Sequence, residues 1–129
     1  MDAVFLFCAD ATARADGKLD IHGVFNELYA PDFPARQDQL VLVGIVEWQR
    51  DQEGRIPFAV DLVDAGGMSI FSIEGHTDVD ARPSSRAPAK SHFILPLKNV
   101  MFPEPGCYRV RIRINDSELE GPSMHLLRN

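Results

Sequence analysis

Apolar and polar side chains alternate along the chain with a period of two. Tyr108, Val110, Ile112 and Ile114 are interleaved with Arg109, Arg111, Arg113 and Asn115, the pattern of a strand with one face in a core and the other in water. Ile56, Phe58, Val60 and Leu62 alternate with Pro57, Ala59, Asp61 and Val63 in the same manner. The run Leu40 to Trp48 is apolar on both alternating faces as far as Glu47, which suits a strand central to a sheet and covered on both sides at one end. No segment sustains apolar i, i+3, i+4, i+7 spacing over three turns, and no internal repeat is visible.

Turn residues punctuate these runs. Asp16-Gly17 is a two-residue hairpin signal, because both central positions of a type I′ turn require positive φ. Glu53-Gly54, Ala65-Gly66-Gly67, Pro103-Glu104-Pro105-Gly106 and Asn115-Asp116 mark later boundaries. The strands expected are 3–11, 18–29, 40–50, 55–64, 68–78, 90–98, 107–115 and 119–127. Pro31 to Gln39 lacks alternation and reads as a surface connection, and Val79 to Ala89 as the longest loop. Leu95 to Phe102 has room for one helical turn before Pro103. The fold expected is all-β: an antiparallel β-sandwich of seven to nine strands with little or no helix, in a single domain over 1–129, and the stretch Phe102-Pro-Glu-Pro-Gly-Cys-Tyr-Arg-Val-Arg-Ile resembles the late strand of immunoglobulin-like domains, which implies an immunoglobulin-like sandwich. A barrel is the competing architecture. In that register Tyr108, Val110, Ile112 and Ile114 are buried and the three arginines exposed.

Composition narrows the class without naming an activity. The chain has 129 residues, 45% hydrophobic and 25% charged, so it is neither disordered nor collagen-like. A domain of this size buries about two-thirds of its unfolded surface and folds without metal or cross-links. Thirteen Lys+Arg against nineteen Asp+Glu give a net charge of −6, which disfavours nucleic acid and anionic lipid as partners. The apolar run near Met1 is too short for a membrane span and has no basic residue before it, so no membrane association and a cytoplasmic location are expected. Cys8 and Cys107 fit no metal or haem spacing and read as small buried apolar side chains.

Candidate chemistry is sparse. His22, His76, His92 and His125 lie on separate strands without HxH or HExxH spacing. His76, Asp78 and Asp80 share one face of an extended segment and are conceivable ligands for a divalent metal; the competing reading is a polar, solvated strand end. Asp16, Asp20 and His22 form a second acidic group, but the turn explains Asp16 and an exposed strand position explains Asp20. No serine sits in a Gly-x-Ser-x-Gly elbow, and Ala65-Gly66-Gly67-Met68 is no phosphate cradle. No catalytic residue and no cofactor is therefore expected. Arg109, Arg111 and Arg113 form the sharpest surface feature, a ladder able to grip a phosphate backbone, a carboxylate ligand or an acidic partner protein. Glu118, Glu120, Asp61 and Glu47 are available to neutralise it from neighbouring strands. Trp48, the one tryptophan, reads as core or sheet-edge packing.

Phe5-Leu-Phe-Cys-Ala-Asp10, Gly17-Lys-Leu-Asp-Ile-His-Gly-Val-Phe25, Phe33-Pro34 and Phe102-Pro-Glu-Pro-Gly-Cys-Tyr108 together resemble a family of small bacterial single-domain proteins of unknown function. The resemblance implies a bacterial source and a β-rich fold and supplies no catalytic residue. Two functions compete. The first is a non-enzymatic module that binds a protein partner or itself through loops and sheet edges. The second is a small-ligand or metal-binding protein, or a hydrolase, with a site near the 76–89 loop.

Overall fold

A computed structural model describes residues 1–129 as nine strands and no helix. The strands are β1 (Asp2–Ala13), β2 (Leu19–Phe25), β3 (Glu27–Ala30), β4 (Ala35–Glu47), β5 (Gly54–Val63), β6 (Ser69–Val79), β7 (Lys90–Phe102), β8 (Gly106–Ile114) and β9 (Ser117–Arg128). They form a four-stranded sheet in the order β2-β1-β4-β7 and a five-stranded sheet in the order β3-β9-β8-β5-β6. The period-two runs became strands because only extended backbone turns such a run into one apolar face. On β8 the alternation is realised without exception: Tyr108, Val110, Ile112 and Ile114 are buried and Arg109, Arg111 and Arg113 exposed.

Both sheets supply one core. Phe7, Leu42 and Leu97 from the four-stranded sheet share a cluster with Val60, Val110 and Met124 from the five-stranded sheet. Trp48 is buried in that cluster, and its indole N–H donates to Ser91 Oγ at 2.8 Å, so its one polar atom is satisfied. At the turn before β8, the Tyr108 hydroxyl donates to the Glu104 carbonyl at 2.6 Å and accepts the Glu104 N–H at 3.3 Å. Desolvation raises the Tyr108 phenol pKa above its ordinary value, and a hydrogen bond to the Glu104 backbone opposes the rise. Tyr108→Phe keeps the ring and orphans the carbonyl, so it is expected to cost about 1–2 kcal/mol. The check is a lower urea midpoint with an unchanged slope.

Several expectations are corrected. The stretch 18–29 is two strands in different sheets: the chain leaves the four-stranded sheet at Asn26, whose carbonyl accepts the His125 N–H at 2.8 Å, and β3 then runs beside β9. That pairing is parallel, so the sheets are not wholly antiparallel; all other pairings are. Ala35 to Gln39 belongs to β4 and leaves only residues 31–34 as connection. Leu95 to Phe102 is not a helical turn but the second half of β7, bent at Asn99, whose φ is 56°. The hairpin at Asp16-Gly17 closes over a longer loop than two residues: the Arg14 N–H donates to the Lys18 carbonyl at 2.8 Å, with Gly17 at φ 82°. The irregular segment 80–89 begins after the buried Val79, which ends β6.

Candidate functional site

The five-stranded sheet turns its arginine ladder outward into a shallow cleft of about 540 Å³ lined by Asp61, Arg111, Arg113, Glu118 and Glu120. Register places Arg111 between Asp61 and Glu120, and Arg113 between Ala59 and Glu118. Arg111 therefore has an acid on both sides and Arg113 on one. Only Arg109 closes an ion pair, with Glu120 at 3.9 Å, and exposed pairs of this kind contribute little. Asp61 is held instead by the hydroxyls of Ser69, at 3.3 Å, and Ser72. The ladder is one stripe of a mixed-charge face.

The sequence-predicted metal residues lie along one edge. His76 and Asp78 alternate on β6, while Asp80 lies just past its end. The His76 Nδ1 is 3.4 Å from the Arg55 guanidinium, and Asp78 stands opposite Arg55 in the β5–β6 register. No group of three or more His, Cys, Asp or Glu side chains is arranged to hold a metal ion. Asp16 accepts the Lys18 backbone N–H at 3.1 Å and the Arg14 side chain at 2.7 Å, a turn role. Asp20 lies 3.7 Å from Arg14, and His22 faces Asp10 across the hairpin. His92 and His125 are exposed on separate sheets.

The two cysteines differ. Cys8 is fully buried, but Cys107 is half-buried, because it follows the exposed Gly106 at a strand start. Burial pushes the Cys8 thiol above its ordinary value, a backbone hydrogen bond with Asp10 opposes the shift, and the Asp10 charge adds to it. The folded thiol thus keeps its proton to higher pH than the unfolded one. Its contribution to stability is whole below the unfolded value of about 8.5 and declines as pH rises above it. The melting temperature is expected to fall more steeply above that pH in the native sequence than in Cys8→Ala, and iodoacetamide to label Cys107 in the folded protein but Cys8 only after unfolding.

A second outward face was not singled out from the sequence. On the four-stranded sheet, alternation sends Val41, Val43 and Ile45 of β4 away from the shared core. Register sets Cys8 and Pro96 beside Val41, Leu6 and Ile94 beside Val43, and Val4 and His92 beside Ile45. Cys8, Val41 and Val43 form a small cluster of their own, against which Leu6, Ala11, Leu19, Ile21 and Ile94 pack. Val4 is 56% exposed and Val24, beside Cys8 on β2, 62%. The run 40–48 carried the signal in being apolar on both faces. What covers the outward side at its Ile45 end is no element of this chain, since Val4 and His92 on either side of Ile45 are exposed.

A family model described as a family of unknown function, DUF6941, matches residues 3–126. The chain belongs to that family. This agrees with the resemblance drawn from its motifs and with a β-rich single domain. No curated protein matches the chain. The family carries no assigned activity, so the functional reading rests on the two outward faces. No helix is long and apolar enough to cross a membrane.

Proposed function

We propose that this chain is a non-enzymatic protein-binding or assembly module, its two sheets packed face to face as a sandwich, whose contact surface is the outward face of the four-stranded sheet. The observation that carries the reading is the exposed Val4, with the half-buried Leu6, Ile45 and Ile94 around it, and the exposed Val24 farther along the same sheet. Contiguous apolar surface on a small domain is the usual mark of a site where a protein docks. The other outward face is a poorer grip for an acidic partner, because Asp61, Glu118 and Glu120 flank Arg111 and Arg113.

The shared core of the two sheets supports the sandwich, and the Tyr108 hydroxyl bound to its upstream backbone supports an immunoglobulin-like corner. Two unpaired cysteines suit a reducing, cytoplasmic setting, and the motif likeness supports a bacterial host. The test is a photoreactive benzoylphenylalanine placed at Val4 or, as control, at Glu118, in cells that express the chain. A discrete protein adduct from position 4 and none from position 118 is expected. Adducts only from 118, or from neither, would overturn the assignment of the surface.

A further inference from the structure

Two open sheets leave four edge strands, and three of them are guarded against pairing with another chain. β3 is only 4 residues long, β2 is interrupted by Gly23 at φ 68°, and β7 carries Lys90, Pro96, Lys98 and the left-handed bend at Asn99. Short length, irregular backbone, lysine and proline are the ordinary protections of a sheet edge. β6 has none of them. It runs 11 residues from Ser69 to Val79 without lysine, proline or positive φ, in unbroken register with β5 from Phe71 onward. Its ladder is with β5 alone, so the N–H and C=O groups of alternate residues on its other side have no partner in this chain.

The side chains along that edge are of two kinds. Phe71 and Ile73 point toward the core yet are only half-buried, because no strand lies beyond them. On the outward side Glu74 and Asp78 are exposed, with His76 between them, and neither acid belongs to an ion pair. The outward positions of β5 behind them are Asp61, Ala59, Pro57 and Arg55. Three acids thus stand against one arginine on the two outermost strands. Arg111 and Arg113 lie one strand further in, with Asp61, Glu118 and Glu120 beside them, and the lysines of β7 project from the other sheet's outer face.

We propose that β6 is a docking edge for an extended segment of another protein, one in which basic residues alternate with apolar ones. It is a second contact surface, separate from the outward face of the four-stranded sheet. The added strand supplies the missing hydrogen bonds, sets lysine or arginine against Glu74 and Asp78, and covers Phe71 and Ile73 with its apolar side. The chain already contains such a pairing: β8, with arginines outward and apolar residues inward, lies against Glu118 and Glu120 of β9. A second copy of β6 is a poorer occupant, because it would crowd Glu74 and Asp78 of both copies onto one face.

The probe is a fluorescein-labelled synthetic peptide, Lys-Val-Arg-Val-Thr-Ile-Arg-Val-Lys-amide, added to the full chain and followed by anisotropy and by amide hydrogen exchange. Saturating peptide is expected to slow exchange at least tenfold at alternate amides of β6 and to leave β2 and β7 unchanged. Glu74→Lys combined with Asp78→Asn, both at exposed positions, is expected to weaken binding at least tenfold with an unchanged urea midpoint. Peptides with glutamate at the four basic positions, or with proline for the central threonine, are expected not to bind. No binding of the basic peptide at about 1 mM, binding without slowed exchange in β6, or equal affinity for the double variant would each overturn the proposal. Slowed exchange in β6 that rises with protein concentration and needs no peptide would overturn it in favour of a second copy.

Discussion

Phe102→Ala is expected to destabilise the fold by about 3–5 kcal/mol, a large part of the 5–15 kcal/mol typical of a domain. Phe102 is the last residue of β7, is fully buried, and meets Tyr108 edge to face with ring centroids 4.9 Å apart. It thus packs an edge strand of one sheet against the first turn of β8 in the other. Truncation removes the ring's transfer energy and leaves a cavity between two sheets that cannot close without moving strands. Urea unfolding followed by Trp48 fluorescence reads the change. Phe102→Leu, which keeps most of the volume, is expected to lose less than half as much. A loss under 1 kcal/mol for the alanine variant would mean that the two sheets do not share the core described.

Gly44→Val is expected to cost about 1–3 kcal/mol, although valine is the better strand former. Gly44 is flanked in register by Phe5 and Phe93, whose rings lie 6.2 Å apart. A Cβ on Gly44 would collide with Phe5 Cε1, so the ring occupies the space a side chain would need. Phe93 in turn meets Phe58 of the other sheet edge to face at 5.1 Å. The glycine is what lets an aromatic layer cross β4. Pairing Gly44→Val with Phe5→Ala frees the space, so the double variant should be less destabilised than the sum of the singles. Additive losses would show that the ring does not fill the gap.

The surroundings of Phe102 and Gly44 depend on which strands are neighbours, and there the sequence was least legible. Alternation located β5 and β8 and the buried face of β8 residue by residue, because a period of two is a local property. It could not see that 18–29 changes sheets, since both halves are apolar and the break at Asn26 is a matter of which partner each half finds. The parallel pairing of β3 with β9 joins positions about a hundred residues apart and leaves no local trace. β7 loses its alternation at Asn99, where φ is 56°, and a run without alternation looks like a turn of helix. For the candidate surface, the arginine ladder and its acidic neighbours on the next hairpin strand were legible. On the outward side of the four-stranded sheet only the central column was legible, Ile45 together with Val41 and Val43, which are themselves buried. Its flanking columns appear once β1 and β7 are known to lie on either side of β4.

The outward face of the four-stranded sheet is proposed as a contact surface. Hydroxyl-radical footprinting tests it most directly, by comparing dilute pure protein with the same protein at its native level in an extract of the cells that make it. Protection of Val4, Leu6, Ile45 and Ile94 in the extract, with Met68 of the other sheet's β5–β6 turn labelled equally in both, is the result predicted. Equal labelling of the four apolar residues in both samples would contradict it.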